Sequence, residues 1–112
     1  MIDRNFDMLL HETYDALHAM FGDNLQDVLL YGSYARGDFD EESDVDVMAL
    51  VNLTREELAK KEREVSGISS DLDLKHDVVL SIVLQDTETF LQYRNALPFF
   101  KNVMREGISI VH

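Results

Sequence analysis

The sequence predicts an α/β (α+β) domain, a small mixed β-sheet flanked by helices. Three observations carry that prediction. Asp27-Val28-Leu29-Leu30-Tyr31 and Val45-Asp46-Val47-Met48-Ala49-Leu50-Val51 are short apolar runs of strand type, separated by a glycine-containing turn. Lys75-His76-Asp77-Val78-Val79-Leu80-Ser81-Ile82-Val83-Leu84 is the run richest in β-branched residues and reads as a third strand. Around these runs, apolar residues recur at helical spacing. At 112 residues the chain is expected to form one domain, 1–112, with a core but no second substrate-binding lobe.

Taken in order, Ile2, Phe6, Leu9, Leu10, Thr13, Leu17, Met20 and Phe21 mark an amphipathic helix, with Asp3 as N-cap and Gly22 as its stop. His11 and His18 share a face beside that stripe and read as surface residues. Leu25 to Tyr31 is the first strand, followed by Gly32, Ser33 and a short helix through Arg36, with Gly37 permitting the next turn. After the strand Val45–Val51, Thr54-Arg55-Glu56-Glu57 fits a capping box, and Leu53 with Leu58 fits a hydrophobic staple. One helix is expected to follow, with Leu58, Val65, Ile68 and Leu72 inward and Lys60 to Glu64 solvated. Asp71-x-Asp73 then reads as a helix-to-strand connection, and His76 as a packing residue on the strand face opposite Asp77. Asp86 or Thr87 caps a helix through Arg94, Pro98 opens another that stops at Gly107, and Ile108 to Val111 is extended. The segment from Phe90 to Phe100 reads as core.

The chemistry concentrates between Gly32 and Asp46. On an extended chain Asp44 and Asp46 share one face while Val45 and Val47 point into packing. Two carboxylates about 5 Å apart repel by about 3 kcal/mol at an effective dielectric near 20. A divalent cation removes that conflict, and hard oxygen ligands suit Mg2+, which keeps its other positions for water and phosphate. Gly32 leaves room for a phosphate against the backbone, and the N–H groups and hydroxyl at Ser33 can bind it. Arg36 either stabilises nucleotide phosphates or pairs with nearby acids, Asp44 among them. Asp77, on the third strand, is expected to ligate a second ion and take the proton of an attacking hydroxyl. Such a site points to phosphoryl or nucleotidyl transfer.

With Gly32-Ser33, ten residues, Asp44-x-Asp46 and a later strand-borne acid, the chain resembles the nucleotidyltransferase superfamily that includes DNA polymerase beta. More narrowly, Gly32-Ser33-Tyr34-Ala35-Arg36-Gly37, Ser43-Asp44-Val45-Asp46 and the ending from Pro98-Phe99-Phe100 through Arg105-Glu106-Gly107-Ile108 are similar to minimal nucleotidyltransferase antitoxins paired with HEPN-domain toxins. The resemblance implies the polymerase beta-like fold, ATP as substrate, two Mg2+ ions, and transfer of AMP to a tyrosine of a HEPN ribonuclease toxin, as in a type VII-like toxin-antitoxin pair. Other outcomes are an antitoxin that inhibits by binding alone, or a subunit modifying a small molecule of aminoglycoside type.

Composition sets limits on partners. Against 10 basic residues stand 22 acidic ones, a formal charge of −12, so direct nucleic-acid binding is not expected. Cysteine is absent, which excludes disulfides and thiolate metal sites and is compatible with a cytoplasmic protein. No run approaches membrane-spanning length or signal-peptide character.

Overall fold

The structure, a computed structural model, describes residues 4–112. Ile2 and the expected N-cap Asp3 lie outside them. Helix α1 (Arg4–Phe21) buries Leu9, Leu10, Thr13, Leu17 and Phe21 on one stripe and ends where Gly22, at φ +55°, opens a 3-10 turn. Strand β1 (Leu25–Tyr31), helix α2 (Ser33–Arg36) and strand β2 (Val45–Val51) follow. Thr54 then caps α3 (Arg55–Ala59) through both hydrogen bonds of a capping box with Glu57. Next come α4 (Glu62–His76), β3 (Leu80–Asp86), α5 (Thr87–Tyr93), capped by Asp86, α6 (Pro98–Glu106) and β4 (Ile108–Ser109).

The four strands form one mixed sheet in the order β3-β2-β1-β4. β1 runs antiparallel to both β2 and β4, while β3 runs parallel to β2 after the α3–α4 crossover. Six of the seven residues of β2 are buried. A strand apolar on both faces is the expected sequence for one covered on both. Against one face, Val28, Leu30, Val45, Val47, Ala49 and Val51 form a core with Leu9, Leu17, Phe21, Leu58, Val65 and Leu72 of the first, third and fourth helices. On the other, Met48 and Leu50 pack with Phe90, Phe100 and Val103 of α5 and α6, and Tyr31 packs against them. Alternation puts Asp46 on this second face, in line with Met48 and Leu50.

Two boundaries differ from those the sequence predicts. The helix expected after Thr54 divides at Lys60–Lys61 into α3 and α4. More consequentially, Lys75 and His76 are helical: α4 extends through Asp71 and Asp73, and β3 begins only at Leu80. Long-range contacts account for this. Glu12 of α1 binds Lys75 Nζ at 2.7 Å and His76 Nε2 at 2.8 Å, tying the last turn of α4 to α1. Those bonds, His76 first, hold the Glu12 carboxyl below its ordinary range. Asp77 terminates the helix in the left-handed region (φ 53°, ψ 53°), its N–H donating to the Asp73 carbonyl. The Asp73 carboxylate in turn accepts the Leu80 N–H at 2.7 Å, which starts the strand.

Adjacent residues of α5 test where the core ends. Phe90 is 2% exposed and Leu91 is 52% exposed. Phe90→Ala is expected to lower unfolding free energy by about 3–5 kcal/mol, and Leu91→Ala by less than about 0.5 kcal/mol, both measured by urea titration.

Candidate active site

β1 delivers the chain to Tyr31, directly across the antiparallel pair from Asp46. The chain must then leave the sheet past the Asp46 carboxylate. Gly32 does so at φ +78° and ψ −156°, a conformation open essentially to glycine alone. A Cβ there would collide with Asp46 Oδ2. The Gly32 carbonyl accepts from Ala35 and Arg36 at 3.1 and 3.0 Å, winding α2, and Gly37 closes the helix at φ +86°. No side chain caps the first turn of α2, where the N–H groups of Ser33 and Tyr34 begin the helix.

The return loop is folded on Asp40, which receives the Glu42 N–H at 2.9 Å on its side chain and the Ser43 N–H at 3.2 Å on its carbonyl. Tyr34 is sandwiched between Phe6 and Phe39, with ring centroids 4.8 and 4.3 Å away and planes within 10°. The loop then reaches Asp44, exposed, and Asp46, half-buried. Burial first, then the charge of Asp44, pushes the Asp46 carboxyl above its ordinary range, and Glu106 adds to this while Arg36 opposes it. Tyr31 is pushed up to about 12 by burial and by Asp46.

Arg36 pairs with acids, as one of its two expected readings has it, but Asp44 is not among them. Its Nε donates to Asp38 at 3.1 Å and its Nη1 to both Glu106 oxygens at 3.3 Å, so the paired acids are Asp38 and Glu106, not Asp44. These hydrogen bonds raise the guanidinium's already high affinity for its proton.

Asp77 is not brought into the cluster. It sits exposed at the helix end, before β3 starts, and the β3 residue in register with Asp46 is Ser81. Among the described residues no group of three or more His, Asp or Glu side chains is arranged to hold a metal ion. The strand that was to carry Asp77 beside the pair begins three residues later. Glu106 is the residue that sequence reasoning missed. It lies 70 positions from Arg36 and 74 from Gly32, whose N–H it accepts at 3.2 Å, and no local pattern announces such a contact.

A carboxylate pair at the start of the central strand, facing a glycine-serine turn on a mixed sheet with helices on both faces, is the architecture of a polymerase beta-like nucleotidyltransferase. The family described as "Nucleotidyltransferase domain" matches residues 12–106, and the chain belongs to it. Two proteins of Methanocaldococcus jannaschii are similar in sequence. "Putative protein adenylyltransferase MJ0141" is 38% identical over 76 residues, covering 68% of this chain and 75% of that protein. "Putative protein adenylyltransferase MJ0604" is 30% identical over 103 residues, covering 92% and 95%. Two crystal structures share the fold at TM-score 0.60, one of a toxin-antitoxin with AMP-PNP (19% identity) and one of a mutant of the toxin-antitoxin MntA-HpeT (17% identity). Each match spans 91% of this chain and 72% of the other.

Two substitutions read this geometry. Gly32→Ala is expected to cost about 1–3 kcal/mol from backbone strain alone, with further loss from the collision with Asp46, seen as a lowered urea midpoint. For Asp46 the folded state holds a proton more tightly than the unfolded state does. Stability from this group is therefore fullest below the ordinary carboxylate range and falls as pH rises through the folded value. Asp46→Asn should thus be more stable than the parent near pH 7, with the difference closing by about pH 3; equal midpoints at both would refute the assignment.

Proposed function

We propose that this chain transfers AMP from ATP to a tyrosine hydroxyl of a HEPN-domain toxin and so acts as its antitoxin. The reading rests above all on the Asp44–Asp46 pair facing the Gly32–Ser33 turn, in a chain whose relatives are named protein adenylyltransferases. The fold likeness to a toxin-antitoxin with AMP-PNP supports the partner class.

The donor set fits one Mg2+. Asp44 and Asp46 supply hard anionic oxygens, and Asp46 already bears the signature of an uncompensated neighbour, a carboxyl raised by burial and by Asp44. Bound there, Mg2+ would neutralise that repulsion and the charge of the triphosphate. The third carboxylate that a second ion would take is not beside the pair.

The chain's own residues do the rest. The first-turn N–H groups and hydroxyl at Ser33 receive the phosphate oxygens of the departing side, and Arg36 offers a guanidinium at the far end of α2. The tyrosine oxygen attacks the α-phosphorus, and the bond from that phosphorus to the bridging oxygen breaks. Pyrophosphate leaves with the electron pair. The hydroxyl proton passes to solvent, which reaches the site on the side of the exposed Asp44. Positioning and charge neutralisation supply most of the acceleration.

A second reading has one observation in its favour. With Ser81 rather than an acid across from Asp46, no third carboxylate among the described residues completes a metal-holding group with the pair, and neutralisation by binding alone needs none.

Incubating the chain with α-labelled ATP, Mg2+ and a HEPN-domain protein should label a tyrosine of that protein. Asp44→Ala and Asp46→Ala should each reduce labelling by about 100-fold or more. Absence of label with the parent chain overturns transfer. Full neutralisation of the toxin by the folded double variant selects the binding reading.

A further inference from the structure

Glu106 joins both ends of the nucleotide turn through one carboxylate. β4 pairs with β1 at Leu29↔Ser109 and Leu30↔Ile108, and continuing that register places Glu106 opposite Gly32. The backbone pairing has ended there, because Glu106 is the last residue of α6. Its side chain takes over, with Oε1 accepting the Gly32 N–H at 3.2 Å. The same carboxylate holds Arg36 Nη1 with both oxygens at 3.3 Å. Gly32 precedes α2 and Arg36 closes it, so a single group fixes the entry and the exit of the helix that carries Ser33. The Glu106 side chain is only 13% exposed, whereas Asp38, the other partner of Arg36, is 61% exposed. With Arg36 itself 46% exposed, water reaches both contacts, but it competes less for Glu106 than for Asp38.

We propose that Glu106 is the positioning residue of the nucleotide turn, holding Gly32 against Asp46 and presenting Arg36 toward the phosphates without itself touching the reacting atoms. This rests on the nucleotidyl-transfer reading. A turn held from both ends before ATP arrives spends less ordering entropy on binding. Arg36 tethered only to exposed Asp38 would sample many rotamers, and the Gly32 N–H would turn to water.

The experiment combines a readout on the free protein with kinetics. In 15N-labelled protein without nucleotide, Glu106→Ala should speed hydrogen exchange at the Gly32 amide by about tenfold or more and shift the Arg36 Nε–H resonance. Glu106→Gln, whose amide oxygen can still accept, should keep most of the Gly32 protection while shifting Arg36, and it carries the test if the alanine variant fails to fold. In AMP transfer, Glu106→Ala should raise KM for MgATP about tenfold with kcat within about threefold, and Glu106→Gln should fall between it and the parent. Combined with Arg36→Ala, the loss should be far from additive, since both variants remove one arrangement. Unchanged Gly32 exchange in Glu106→Ala overturns the proposal, as does an unchanged KM in an active enzyme or full additivity with Arg36→Ala. If the parent chain transfers no AMP, the transfer reading fails by itself, and the exchange data still decide whether Glu106 holds the turn.

Discussion

The approach of the Gly32 backbone to the Asp46 carboxylate is the contact on which the rest of the site depends. Antiparallel pairing sets Tyr31 beside Asp46, so the next residue has to turn away from a carboxylate already in contact. Only a residue without a side chain, in a left-handed extended conformation, can pass. That passage aims the first turn of α2 at the acid pair. It also strips water from Asp46 and leaves the Tyr31 phenol protonated beside an anion. Such an arrangement is unfavourable locally and persists because β2, which carries Asp46, is clamped between two apolar layers.

Charge around the turn is arranged unevenly. Asp38, Asp40, Glu41, Glu42, Asp44 and Asp46 follow one another closely, and α6 adds Glu106 from the same face of the sheet as Asp46. Arg36 lies between Asp38 and Glu106 and opposes the rise in proton affinity that burial, Asp44 and Glu106 confer on Asp46. A polyphosphate approaching this surface meets repulsion from the loop before it reaches the N–H groups of the turn. The nucleotidyl-transfer reading therefore calls for a compensating cation to offset that repulsion.

Elements with local punctuation were legible in the sequence. β1 and β2 have the predicted bounds because Gly32 and the acidic loop interrupt two apolar runs, and Thr54, Asp86 and Pro98 mark their helices through capping and backbone restriction. The α4–β3 boundary was not legible. Val78 and Val79 extend a β-like pattern, whereas the helix is prolonged by Glu12, more than sixty residues upstream. That displacement took Asp77 off the strand. Glu106 escaped for a related reason: its role follows from sheet register, and no single stretch of sequence carries register across the β1–β4 pair.

The sandwich of Phe6, Tyr34 and Phe39 ties three separate parts of the chain, the start of α1, the body of α2 and the acidic loop. The near-parallel faces of Tyr34 and Phe39 hold the loop against α2. A movement large enough to widen the mouth must either break one stacked face or drag the first turn of α1 along with it. Displacing the loop therefore costs a stacked contact worth about 0.5–1.5 kcal/mol, unless the first turn of α1 moves with it.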